Sequence, residues 1–338
     1  MGVTGMQDPL LCLIGDRSQV GEARRRVVDL AMQIGLGEVP REKLALLVNE
    51  LGTNLVKHAG GGELLVRALP GRPALEILAL DKGGGMASVE ESFRDGHSTS
   101  GSAGTGLGAV RRLASFVDVY SSRPGGTAIV AHVASPEASA LAAPRWEVGA
   151  VCVSKSGEEI CGDGWAAADT VDGYHMMMAD GLGHGLGAAE AARAAVRCFE
   201  RDPTLGPAAQ VSAIHQALRG TRGAAVAVVN IDRRAGVAIF AGVGNIAGSI
   251  IADRGSRHLA SLNGTAGHTV HKITEFGYPW TDDALLLVHT DGLVSRWDLG
   301  HYPGLVVRHP SLVAGVLFRD FNRGRDDVTV VATRGRAA

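Results

Sequence analysis

The stretch from Gly96 to Leu113 restricts this chain most. It reads Gly96-His97-Ser98-Thr99-Ser100-Gly101-Ser102-Ala103-Gly104-Thr105-Gly106-Leu107-Gly108 and passes directly into Ala109-Val110-Arg111-Arg112-Leu113, a helical pattern. Glycines let backbone N–H groups approach an anion, and a helix start behind them adds the positive end of its dipole. Such a run is either a flexible linker or a phosphate-holding loop. Spacing excludes three familiar phosphate motifs. There is no Gly-Lys-Ser/Thr triplet, and Ala109 or Arg111 stands where a dinucleotide or protein-kinase glycine loop needs its third glycine. The surrounding residues must decide between the two readings.

With 338 residues, the chain is long enough for two domains with separate cores. A net charge of −2 supplies no excess of cations to displace counterions, so nucleic acid is not an expected partner. No apolar run reaches membrane-spanning length, and the four cysteines form no C-x-x-C pair. A cytoplasmic protein with no membrane partner is expected.

In the first half, residues 10–14 read as a strand. Val20, Ala23, Val27, Leu30, Ala31 and Ile34 mark one face of a helix. A second helix, about 40–59, carries Leu44, Leu47, Val48, Leu51 and Leu55 inward, and Glu50 and Asn54 project together from one side. Strands follow near 63–69 and 75–80, the second running into Asp81-Lys82-Gly83-Gly84-Gly85. A helix from Thr105 leads to a hairpin near 117–121 and 127–133 turned by Gly125-Gly126. An Asp-x-Gly-x-Gly alone is a turn signal.

Taken jointly, Glu50-x-x-x-Asn54, Asp81-x-Gly83-x-Gly85 and Gly104-x-Gly106-x-Gly108 resemble the N, G1 and G2 boxes of the GHKL ATPase superfamily, whose Bergerat fold is an α/β sandwich. Asp95-Gly96-His97-Ser98-Thr99-Ser100-Gly101 narrows the resemblance to the RsbT type of serine kinase and switch protein. It implies ATP with Mg²⁺ as cofactor. Asn54 would hold the Mg²⁺, and Asp81 would receive the adenine amino group beside Gly83 and Gly85. Gly104, Thr105, Gly106, Leu107 and Gly108 would line the phosphates, with Ser98, Thr99 and Ser100 in a lid. Glu50 would be the general base for a partner's hydroxyl. Lys57 reads equally as a phosphate contact or an exposed lysine.

Residues 135–145, small and proline-flanked, read as a linker between domains at 1–134 and 146–338. Beyond it, strand-like runs near 146–154, 174–179, 224–231, 237–242, 246–252, 284–290 and 328–333 alternate with helical runs ending near 201 and spanning 207–219. Aspartates recur where apolar strands begin or end: Asp163, Asp180, Asp291 and Asp326. Any one is usually a turn, but four suggest carboxylates gathered at one rim. Buried carboxylates repel unless a cation lies between them, and oxygen-only ligands select Mg²⁺ or Mn²⁺.

Gly162-Asp163, Asp180-Gly181-Leu182-Gly183-His184-Gly185, Gly242-Val243-Gly244-Asn245-Ile246, Thr290-Asp291-Gly292 and Asp326-Asp327-Val328-Thr329 resemble the SpoIIE/RsbX branch of the metal-dependent (PPM-type) Ser/Thr phosphatases. The resemblance implies a β-sandwich flanked by helices and two Mn²⁺ or Mg²⁺. Asp180 would bridge both ions with the Gly181 carbonyl as a further ligand, Asp163 on one side, Asp291 and Asp326 on the other. Asp327 is the weaker choice of the adjacent acids, and His184 reads as a phosphate or water orienter or as a structural histidine. The expected whole is an α+β, two-domain stress-signalling regulator acting on a STAS-domain phosphoprotein (RsbS/RsbR-like), with a further phosphatase or sigma-pathway protein as a second partner. Its first domain reads either as a kinase or as a nucleotide-dependent binding switch, of anti-sigma or phosphatase-gating type.

Overall fold

A computed structural model describes residues 2–5, 9–92, 106–170, 173–253 and 255–336. The chain folds into two compact units. One comprises Pro9–Ala143 together with Asp298–Arg319, and the other Pro144–Trp297, the chain end from Asp320, and the N-terminal strand β1 (Gly2–Gly5). These units are threaded differently from two contiguous blocks. Among the described residues no helix is long and apolar enough to cross a membrane.

The first unit runs β2 (Leu10–Ile14), α1 (Arg17–Gln33), α2 (Glu38–Asn54), β3 (Gly62–Ala68), β4 (Ala74–Leu80), α3 (Val89–Ser92), α4 (Gly106–Leu113), β5 (Phe116–Ser122), β6 (Gly126–Ala134) and α5 (Pro136–Ala140). Its five strands form one antiparallel sheet in the order β2-β3-β4-β6-β5. Asp16 caps α1 in a reciprocal box with Gln19. Val27, Leu44, Leu47 and Leu51 from the helices then pack on Leu64, Val66, Leu75, Ile77 and Ile129 of the sheet. The expected linker contains a short helix, α5, started by Ser135, whose hydroxyl accepts from the Ala138 N–H.

Segment 298–319 of the same unit contributes most of helix α8 (Pro310–Phe321), in which every residue from Pro310 to Arg319 is buried. Gly315 sits against Leu78 and Leu80 so closely that a Cβ there would lie 2.7 Å from Leu78 Cδ2. The polar anchor is Glu76, 2% exposed. It pairs with Arg67 Nε at 2.6 Å and His132 Nε2 at 2.9 Å, and it accepts from the Ser311 hydroxyl at 2.8 Å. Burial alone would raise its pKa, but Arg67 and His132 more than offset this and hold the carboxyl far below the ordinary range.

The second unit adds β7 (Trp146–Val153), β8 (Asp163–Asp169), β9 (Tyr174–Gly181), α6 (Leu186–Arg201), α7 (Pro207–Ala217), β10 (Ala224–Asp232), β11 (Val237–Val243), β12 (Ala247–Ala252), β13 (Gly255–Leu259), β14 (Phe276–Pro279), β15 (Leu285–His289) and β16 (Val328–Gly335). They build two antiparallel sheets, β1-β8-β9-β10-β11-β14 and β13-β12-β15-β16-β7. Trp165, Met176, Met178 and Phe240 of the first sheet meet Cys152, Ile250, Leu286, Val288 and Val331 of the second, as in a sandwich. The other face of the larger sheet packs Met177, Val226 and Val228 on α6 and α7.

The sequence pattern did not anticipate α8, β1, β8, β13 or β14. Helix α8 is buried almost throughout, and its few polar residues form no stripe to betray a period. Strand β8 is Ala-rich and buried nearly throughout, which erases alternation.

Replacing Glu76 with Ala leaves Arg67 buried without its carboxylate, and should cost about 3–5 kcal/mol in urea unfolding. The loss should be accompanied by faster amide exchange in 298–319; unchanged unfolding and exchange would contradict this role. Because the Glu76 pKa is lowered, its contribution is present above the ordinary carboxylate range and is lost as pH falls below it.

Candidate functional site

In the first unit, α2 delivers Glu50 and Asn54 one turn apart, and the chain then widens into a π-helical turn, Leu55–Ala59, closed by Gly60 at φ +71°. Turns of this type gather at functional sites. Beside it lies a cavity of about 410 Å³. Leu51, Ala79, Met86, Leu107 and Ile129 give it apolar walls, while Asn54 and Asp81 bring polar groups. Asp81 follows β4, and its Oδ1 accepts the N–H groups of Gly83 at 2.8 Å and Thr127 at 3.1 Å. A Cβ on Gly126, at φ +78°, would collide with the Asp81 carbonyl, and one on Gly85, at φ +67°, with the Ser122 carbonyl. Glycine at these two positions is therefore what fixes Asp81 against the β5–β6 hairpin. Apolar walls with one carboxylate at the edge suit a flat heterocycle carrying an amino donor.

Of the expected residues, Asn54, Asp81, Gly85, Gly106 and Leu107 line the cavity, whereas Glu50, Lys57, Gly83 and Gly108 are not among the lining residues. Glu50 is half-buried; burial raises its carboxyl pKa, with Lys57 and Arg112 pulling the other way. Lys57 is exposed. Ser98, Thr99, Ser100, Gly104 and Thr105 lie outside the described residues.

In the second unit, Asp163 opens β8 and stands directly opposite Asp180 of β9. Like charges in that register repel. Asp163 is 1% exposed, and its Oδ2 accepts the Thr290 hydroxyl at 2.8 Å. Burial first, then Asp180, raises its carboxyl well above the usual range. Asp180 is pushed up to about 7 by burial and by Asp291, Asp326 and Asp327. Asp291 lies just past β15 and is held by Asn245 Nδ2 at 2.7 Å, and Asp326 is exposed just before β16. Acids from both sheets thus act on Asp180. Among the described residues no lysine or arginine lies within ion-pair distance of Asp163, Asp180, Asp291 or Asp326.

Asp327 behaves differently from Asp326. Its two oxygens are consumed by the N–H groups of Lys155 at 2.8 Å and Gly162 at 2.9 Å, so it clamps the backbone entering β8. Gly181 donates its N–H to the Gly162 carbonyl, and a Cβ there would collide with the Ala188 carbonyl. His184 Nδ1 pairs with Glu158 Oε1 at 2.6 Å. Motif spacing did not point to Glu158 or to the nearby Arg222.

The donor set is oxygen only, running from the buried Asp163 to the exposed Asp326, and among the described residues none of these acids is ion-paired to a lysine or arginine, which fits hard divalent ions. No three of these acids bring oxygens within 4.8 Å of one another; among the described residues only Glu76, His132 and His309 do. A ring of spaced carboxylates around a shared Asp180 suits two cations rather than one.

Residues 15–133 match the family model of the histidine kinase-like ATPase domain, and residues 170–336 that of stage II sporulation protein E (SpoIIE). The serine/threonine-protein kinase RsbT of Bacillus subtilis (strain 168) is 32% identical over 111 residues, which are 32% of this chain and 84% of that protein. A solved structure from work on the bacterial stressosome, described as a modular system adapted to control secondary messenger signaling, is 30% identical. Its TM-score is 0.53, over 56% of this chain and 99% of that one. RsbX in complex with magnesium shares the fold at 21% identity and TM-score 0.52, over 58% of this chain and 98% of that one. The chain belongs to the RsbT family through its histidine kinase-like ATPase domain, which it carries together with a region, residues 170–336, that matches the SpoIIE model.

Proposed function

We propose that the second unit hydrolyses phosphoserine or phosphothreonine on a partner protein, using two Mn²⁺ or Mg²⁺ ions at the Asp180 cluster. The observation that carries this reading is the placing of Asp163 directly opposite Asp180 in one sheet and of Asp291 and Asp326 at strand ends of the other, none of them ion-paired to a lysine or arginine among the described residues. When bound, the divalent ions would neutralise the carboxylates, acidify water and polarise the phosphate ester. The chain's own residues do the positioning. Thr290 fixes the oxygen of Asp163, Asn245 that of Asp291, and Asp327 holds the backbone from which Asp163 emerges. Asp180, Asp163, Asp291 and Asp326 would hold the ions, with the Gly181 carbonyl as a further ligand.

The first unit, in this reading, binds ATP with Mg²⁺. Asp81 would receive the adenine amino group, Asn54 the ion, and the segment Gly104 to Gly108 the phosphates. The likeness to RsbT and to a stressosome protein supports a STAS-domain phosphoprotein as the common partner, with both activities acting in one cytoplasmic signalling pathway. Glu50 would then be the base that activates the partner's hydroxyl, its carboxyl pKa raised by burial. A second reading makes this unit a nucleotide-dependent binding switch without phosphate transfer. It is favoured by the position of Glu50 outside the cavity lining.

With manganese, the full chain should release phosphate from a phosphoserine STAS protein. Asp180→Asn should cut the rate at least about 100-fold, a ligand mattering no less than the groups that orient it. Equal rates would defeat the phosphatase assignment. Asp81→Asn should weaken binding of a fluorescent ATP analogue about tenfold or more, through loss of the carboxylate acceptor. Transfer of radiolabel from ATP to the STAS protein, lost in Glu50→Gln, identifies the kinase; binding without transfer identifies the switch.

A further inference from the structure

The loop after β9, Leu182-Gly183-His184-Gly185, and the first turn of α6 are packed against Arg222, which lies between α7 and β10. A Cβ on Gly187 would lie 2.6 Å from Arg222 Nε and 2.8 Å from its Cζ, and one on Gly183, at φ +87°, 3.3 Å from its Nη1. Both glycines therefore leave room for the guanidinium. Its backbone is held as well: the Gly223 carbonyl accepts the Leu182 N–H at 3.0 Å, and the Arg222 carbonyl faces His268 Nε2 at 2.9 Å.

Arg222 has been given a place but no counter-ion. Its Nη1 donates only to the His184 carbonyl, at 3.4 Å. Glu158, the acid beside this loop, is engaged by His184 at 2.6 Å instead. Among the described residues no carboxylate lies within ion-pair distance of Arg222, and the side chain is exposed. An arginine without an acid, packed against the loop that follows Asp180 and Gly181 at the end of β9, presents a planar fork suited to phosphate oxygens. The electrostatics call for one. Five aspartates (Asp163, Asp180, Asp291, Asp326 and Asp327) would leave even a doubly loaded centre slightly negative, while a phosphate monoester arrives as a dianion. A fixed cation at the rim favours its entry.

We propose that Arg222 is a phosphate-binding residue of the phosphatase site, holding substrate phosphoryl oxygens that the Asp180 cluster does not engage. This rests on the phosphatase reading above. The test uses the full chain with manganese, p-nitrophenyl phosphate as substrate and inorganic phosphate as competitive inhibitor. Arg222→Ala should raise both KM and the inhibition constant of phosphate about tenfold, the worth of one charged hydrogen-bonding group, while kcat changes little. Arg222→Lys should fall between, since it keeps the charge but loses the fork, and it serves as the folding control. Gly187→Ala keeps the arginine but forces the guanidinium aside, and should shift both constants the same way. An active Arg222→Ala enzyme with unchanged KM and unchanged phosphate inhibition would overturn the assignment alone. A wild-type chain with no metal-dependent hydrolysis would overturn the phosphatase reading, and this assignment with it.

Discussion

Carboxylates forced together inside a sandwich are the constraint around which the second unit is built. Asp163 and Asp180 stand opposite each other in one sheet, and Asp291 and Asp326 come from the ends of strands in the other. Folding alone gains nothing from this: Asp163 and Asp180 are made harder to ionise by burial and by the neighbouring acids. A protein keeps such an arrangement when something positive completes it, and strain of this kind concentrates at functional centres. The hydrogen bonds from Thr290 and Asn245 and the backbone clamp at Asp327 hold the acids in place despite their repulsion.

The first unit solves a different problem. A five-stranded sheet has two apolar faces, and α1, α2 and α4 bury only one. The other is covered by residues from far along the chain, in the segment between Asp291 and Asp326, with Glu76 as its polar anchor. Glu76 is fully paired, so the buried charge that would otherwise be costly becomes a register device between sheet and helix. On the cavity side, glycines decide the geometry. Gly85 and Gly126 bring the Asp81 backbone and the β5–β6 hairpin into contact that no other residue would permit.

Much of this was legible in the residues. Helices with a single apolar face, such as α1, and strands bounded by Gly or Asp announced themselves, as did Asp81, Asp163, Asp180, Asp291 and Asp326 at element ends. What stayed hidden has physical reasons. Helix α8 is buried on every side and shows no amphipathic period, while β8 is a run of small residues with no alternation. The division of labour between Asp326 and Asp327 is set by which carboxylate the backbone of Lys155 and Gly162 reaches, a contact 165 or more residues away in sequence. Arg222 belongs to no motif, and only its packing on Gly183 and Gly187 distinguishes it from an ordinary exposed arginine.

Counting manganese bound to the full chain, in the presence of ATP-free buffer, tests the central claim most directly. Two ions per chain should bind at pH 8, and affinity should fall as pH drops through about 7, where Asp180 takes up a proton that competes with the metal. Binding should disappear when Asp163 and Asp180 are both changed to Asn. A chain that binds no manganese, or binds it equally well without those two acids, would contradict the account.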